Sequence, residues 1–147
     1  MYRTAPVAGT QRYVRRVYEQ RLVRSPSALQ FVRHEVSSAL QHELVPRRTI
    51  EDALVVVSEL GTNAMHASAY EDEVLVRLGI EPNGNVIVEV EDPGSGFRLS
   101  QALRLPDNDE ERGRGLSIVC LLADETVVRR RRRHTIVRAT LHAQRSA

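Results

Sequence analysis

The chain has no lysine: all 21 of its basic residues are arginine. A P-loop needs a lysine after its phosphate-cradling glycines, so that class of nucleotide site is excluded. Cysteine occurs once, at Cys120, and a metal centre built from cysteines is excluded with it. The surroundings of that cysteine, the apolar stretch Leu116 to Leu122, suit a small buried thiol better than a nucleophile or ligand. Tryptophan is absent and aromatic residues make up only 4%. No apolar run approaches the ~18 to 20 residues that cross a bilayer. Met1 to Gly9 lacks the basic-then-apolar plan of a signal peptide, so a cytoplasmic location is expected. A net charge of +2 is too small to argue for nucleic acid as a partner.

What is present is the material of one globular domain: 147 residues, 41% hydrophobic and 27% charged. Residues 1–11 are expected to form a flexible segment and residues 12–147 a single domain. From Arg12 to about Arg24 the β-formers Tyr13, Val14, Val17, Tyr18, Leu22 and Val23 predict a strand. They are more apolar than one edge strand needs, and pairing with a second copy across a two-fold axis is an expectation. Ser25-Pro26 opens a helix, by a capping serine and a first-turn proline, that runs to about Glu43. Pro46 ends that region. Thr49 is then expected to cap a long central helix reaching Ala69, with Glu51 and Asp52 in its first turn.

Beyond Ala69 the period changes to that of strands. Val74, Val76, Leu78 and Ile80 alternate, Pro82-Asn83-Gly84-Asn85 signals a turn, and Val86, Val88 and Val90 answer, which predicts a hairpin over Glu73 to Glu91. The polar stretch Asp107 to Arg112 has loop composition. Gly113-Arg114-Gly115 then opens a short apolar helix to Ala123. Two strands follow, around Thr126 to Arg129 and Thr135 to His142, and the arginine run Arg129 to Arg133 between them reads as a solvated hairpin end rather than a nucleic-acid patch.

The central helix carries the chemistry. Glu59, Asn63 and His66 form one polar stripe, and Val55 and Val56 border it on both sides, so the stripe reads as the wall of a lined cavity. Three motifs follow in order: the helical Glu59-x-x-x-Asn63, the strand-end Asp92-x-Gly94-x-Gly96, and the helix-opening Gly113-x-Gly115. Each alone is a weak signal. Together, over roughly Leu22 to Leu141, they resemble the GHKL ATPase superfamily of type II topoisomerases, heat-shock chaperones, mismatch-repair ATPases and sensor histidine kinases. Glu59 and Asn63 look like its N-box, Asp92, Gly94 and Gly96 like its G1 box, and Gly113 with Gly115 like its G2 box.

That resemblance implies a two-layer α+β sandwich, with helices on one face of a mixed, mostly antiparallel sheet, and it implies ATP and Mg²⁺ as ligands. Physical reasons support each assignment. A buried Asp92 can accept the exocyclic amine of adenine. Gly94 and Gly96 let the backbone approach a flat ring. Gly113 and Gly115 expose N–H groups to phosphate at a helix start, with Arg112 and Arg114 as further phosphate contacts. Asn63 offers a neutral oxygen to Mg²⁺, and Glu59, one turn earlier, is placed to take a proton from an attacking hydroxyl.

The short lid between Phe97 and Arg112 and the Glu-Arg-Gly-Arg-Gly-Leu form of the last box look like the anti-sigma-factor serine/threonine kinases. That branch implies a small antagonist protein as phosphorylation substrate and a sigma factor as the protein held inactive. The alternative is an ATP-responsive binding module with weak or no kinase activity. His34-Glu35, which has the form of a histidine-kinase phosphoacceptor pair, lies too close to Glu59 for a dimerising helical hairpin to intervene and reads as a surface histidine.

Overall fold

Alternating valines and one tight turn set the middle of the sheet. In the computed structural model, residues 13–67, 72–92, 111–131 and 134–143 are described, with backbone alone at 67, 111–116 and 131. Among them the order is β1 (Arg15–Val23), α1 (Pro26–His42), α2 (Arg47–Ala67), β2 (Glu73–Ile80), β3 (Val86–Asp92), α3 (Glu111–Leu122), β4 (Glu125–Arg131) and β5 (His134–Leu141). The β2–β3 turn closes as its residues require. Gly84 stands at φ 90, a region that only glycine enters freely. Its N–H donates to Glu81 O, and the Asn83 side chain accepts from Asn85 N at 3.0 Å.

The strands form one sheet in the order β1-β2-β3-β5-β4. The expected mostly antiparallel sheet is therefore met, and every described pairing is antiparallel. Register puts Val76, Val88, Ala139 and Thr126 on one face, and Val90, Val137 and Val128 beside them. These valines share a core with Val32, Val36 and Leu40 of α1 and Val56, Val57 and Leu60 of α2. Fully burying each aliphatic side chain is worth about 1.5 to 3 kcal/mol, which is ample to hold the helices on this one face. The opposite face sets charged residues among the apolar Leu75, Ile87 and Val127. There Arg77 donates to Glu89 and Glu91, each at 2.9 Å, and Arg138 to Glu89.

Helices α1 and α2 approach closely at Gly61, where an added Cβ would stand 2.6 Å from Leu29 Cδ1. Several expectations at helix ends are corrected. Ser25 does sit at the α1 cap with proline in the first turn, but its hydroxyl makes no capping bond and lies 2.8 Å from that of Ser27. The central helix starts at Arg47, not after Thr49, because the Pro46 carbonyl accepts the first helical bond, from Ile50 N at 3.0 Å. A proline lacks a donor but keeps its acceptor, so it can cap. Glu51 and Asp52 accordingly lie beyond the first turn, which holds no acidic residue. Helix α1 ends in a left-handed residue, Leu44 at φ 58, closed by Val45 N donating to Leu40 O. Cys120 is half-buried rather than enclosed. Among the described residues no helix is long and apolar enough to cross a membrane.

Candidate functional site

Each chain reversal delivers a polar residue to the same end of the sandwich. β3 alternates inward at Val86, Val88 and Val90, and the next inward position is Asp92, 2% exposed. Helix α2 leads into β2, whose start pairs with the end of β3 (Leu75 opposite Glu91), so the last turns of α2 lie beside Asp92. α2 packs on α3, β3 and α1. Leu122, in the last turn of α3, lines the same cleft as Thr49 and Asp52 in the opening turns of α2. Hence α3 runs against α2, and its first turn points back toward the Asp92 end.

The polar stripe of α2 does not behave as one unit. Asn63 is buried at 9% exposed, Glu59 is half-buried, and His66 is exposed. Only Val56 of the two flanking valines is enclosed, while Val55 faces out. The wall expected on both sides therefore exists on one, because Val55 falls on the outer arc of the wheel. Ser58, between them, spends its hydroxyl on Leu54 O at 2.8 Å. The Asn63 amide nitrogen is enclosed and has no hydrogen-bond partner among the described residues. A donor in that state costs stability unless something outside the chain satisfies it.

Of the expected phosphate-binding residues, Arg112, Gly113, Arg114 and Gly115 all fall within α3, which begins at Glu111. The glycines therefore do not open the helix. An acidic residue ahead of them suits the positive end of the helix dipole. The first turn, with Gly113 in it, carries the N–H groups that have no partner inside the helix. Gly94 and Gly96, and the lid from Phe97 up to residue 110, lie outside the described residues.

One residue escaped the sequence reading. Thr135 pairs directly with Asp92 and is as buried, at 2% exposed. It shares the inward parity of Val137, Ala139 and Leu141, and a polar residue on the core-facing side of a strand is the signal that could have revealed it. Arg130 follows as the next residue in this row, opposite Thr135 on β4. His34 is exposed on α1, as read. Among the described residues no group of three or more His, Cys, Asp or Glu side chains is gathered as for an all-protein metal site.

The described residues thus place a buried carboxylate on β3 and a buried amide on α2, and α3 begins at Glu111 with first-turn N–H groups that have no partner inside the helix. The profile of the histidine kinase-like ATPase domain matches residues 22–141. A chain of the SiaB–SiaC complex from Pseudomonas aeruginosa superimposes with a TM-score of 0.68 at 16% identity, over 86% of this chain and 90% of that one. The RsbU and RsbW domains of Rv1364c from Mycobacterium tuberculosis give a TM-score of 0.65 at 18% identity, over 88% of this chain and 34% of theirs. No curated protein matches the sequence significantly. With the family profile covering most of the chain and the fold agreeing, the protein belongs to the histidine kinase-like ATPase domain family.

Proposed function

We propose that the chain binds ATP with Mg²⁺ and is a serine/threonine protein kinase and anti-sigma factor of a partner-switching circuit, working in the cytoplasm. One observation carries the reading: Asp92 and Asn63 are both enclosed at the end where α2, β3 and the first turn of α3 meet. Asp92, buried on the sheet, accepts the adenine amine, and Thr135 stands beside it to fill out the polar edge of that subsite. The Asn63 amide has an unpartnered nitrogen and an oxygen of the neutral type that Mg²⁺ accepts, so it fits a metal–phosphate group arriving from outside. When bound, Mg²⁺ would neutralise charge on the phosphates. The N–H groups of the α3 first turn, which have no partner inside the helix, hold phosphate oxygens together with Arg112 and Arg114.

Glu59 sits one turn before Asn63 and is half-buried. It takes the proton of a serine or threonine hydroxyl as that oxygen bonds to the γ-phosphorus and the bond to ADP breaks. The hydroxyl belongs to a small antagonist protein, and the partner released from or held by the kinase is a sigma factor. One similar fold comes from the SiaB–SiaC complex and another from the RsbU and RsbW domains of Rv1364c, and the first, a complex, supports a protein partner.

Glu59→Gln tests the enzyme against the binding module. It preserves shape but cannot take a proton, so ATP affinity should hold while phosphotransfer to the antagonist slows by roughly 10²- to 10⁴-fold. Unchanged phosphotransfer removes Glu59 as base. A wild-type protein that binds ATP and a sigma factor yet phosphorylates nothing replaces the kinase with the module.

A further inference from the structure

At the end of the sandwich away from Asp92, the start of α2, the end of α3 and the end of β5 enclose a cleft of about 120 Å³. It lies beside Leu141, six positions along β5 from Thr135, and so about 20 Å from the nucleotide end by the rise of a strand. Sites for drug-sized molecules run from roughly 300 Å³ upward, so this one suits a smaller guest. Arg48, Thr49 and Asp52 line it from α2, where spacings of three and four set them on one face. Pro46, Leu122 and Leu141 supply an apolar wall.

The polar groups of α2 that line this cleft lack partners. Thr49 is 8% exposed, and its hydroxyl makes no hydrogen bond among the described residues. Arg47 and Glu51, four apart and both exposed, form an ion pair at 3.1 Å. Arg48 and Asp52 have the same spacing yet have no ion pair among the described residues, although Asp52 is half-buried. The Pro46 carbonyl accepts from Ile50 N, and the N–H groups of Arg47, Arg48 and Thr49 have no partner inside the helix. Across the cleft, Asp124 is fixed by His142, whose backbone N–H it accepts at 2.7 Å. A guanidinium, a hydroxyl and helical N–H groups favour an anion, but two carboxylates on the same walls repel a simple one. Those carboxylates are not gathered as a metal site either. A guest that carries both charges satisfies both halves of the cleft.

We propose that this cleft binds a free aliphatic α-amino acid. Its carboxylate accepts from the Thr49 hydroxyl, the first-turn N–H groups of α2 and Arg48, its ammonium donates to Asp52 with Asp124 beside it, and its side chain lies on Leu122 and Leu141. Neither the cleft nor its test depends on the kinase reading. L-Leucine, titrated into the intact chain and followed by the amide resonances of Arg48, Thr49 and His142, should bind saturably. Isocaproate, which lacks the amine, and isoamylamine, which lacks the carboxylate, should each bind about tenfold or more weakly. Asp52→Asn and Thr49→Val should each weaken leucine by about tenfold, and Thr49→Ser should retain it. Glu51→Gln, an equal change of charge on the neighbouring, ion-paired side of α2, should leave leucine binding unchanged. Failure of leucine to bind, isocaproate binding as tightly as leucine, or equal effects of Asp52→Asn and Glu51→Gln each overturns the proposal. The two analogues test the charge requirement on the unaltered chain, so a variant that fails to fold does not remove the test.

Discussion

Asn63 should be a residue that the empty protein would be more stable without. Its amide nitrogen is enclosed with no partner among the described residues, and an unsatisfied buried donor costs about 1 to 3 kcal/mol. Asn63→Ala removes that cost and improves helix propensity by several tenths of a kcal/mol at an interior position of α2. Against this stands the lost packing of a small side chain, about 1 kcal/mol once the site partly collapses. The balance is a gain of roughly 1 kcal/mol, or about 3 to 5 °C in Tm for a domain of this size. Urea unfolding without nucleotide measures it. Adding ATP at about a hundredfold excess over Kd should stabilise the wild type by about 2.7 kcal/mol, and this gain should depend on Mg²⁺ in the wild type but not in the variant. A variant that is less stable by 1 kcal/mol or so without ligand would mean that the amide already has its partner, and retained Mg²⁺ dependence would remove Asn63 from the metal.

Leu44 is a left-handed residue (φ 58) and 89% exposed, so Leu44→Gly sheds strain while losing almost no apolar burial. The urea midpoint should rise by the equivalent of about 0.5 to 1 kcal/mol after glycine's unfolded-state entropy is counted, and a fall would show that the leucine packs. Tyr18 is enclosed at its hydroxyl, which has no partner among the described residues, and burial, with a smaller contribution from Glu35, pushes its phenol up to about 12. The unfolded chain ionises from about pH 10 and the folded one only near 12, so stability present below pH 10 should drain away between them. Discounted for partial exposure the loss is about 1 kcal/mol. With no lysine in the chain to titrate in that window, Tyr18→Phe should flatten the alkaline limb, and an unchanged limb would assign it elsewhere.

The legible parts of this fold are those decided within a few residues. The β2–β3 hairpin follows from alternation and from a turn that requires a glycine at positive φ, and the same alternation, carried two residues past Val90, turns Asp92 inward. The long helix was legible in its body for the same reason. Its start was not, because Pro46 caps with a carbonyl, a group that every residue has and no composition rule marks. The difference between Val55 and Val56 was read wrongly: both are valines on the borders of one stripe, but Val56 joins the core while Val55 falls on the outer arc of the wheel. Thr135 shows the limit most clearly. Its inward parity could be read locally, but its place beside Asp92 depends on β5 inserting between β3 and β4, a pairing between segments more than forty positions apart in the chain (Asp92 with Thr135). The same insertion sets Arg130 in that row, opposite Thr135. A motif search along the chain finds candidate groups on loops and helix ends, whereas the strand neighbours that would complete the proposed site are assigned by sheet order, which only the folded chain displays.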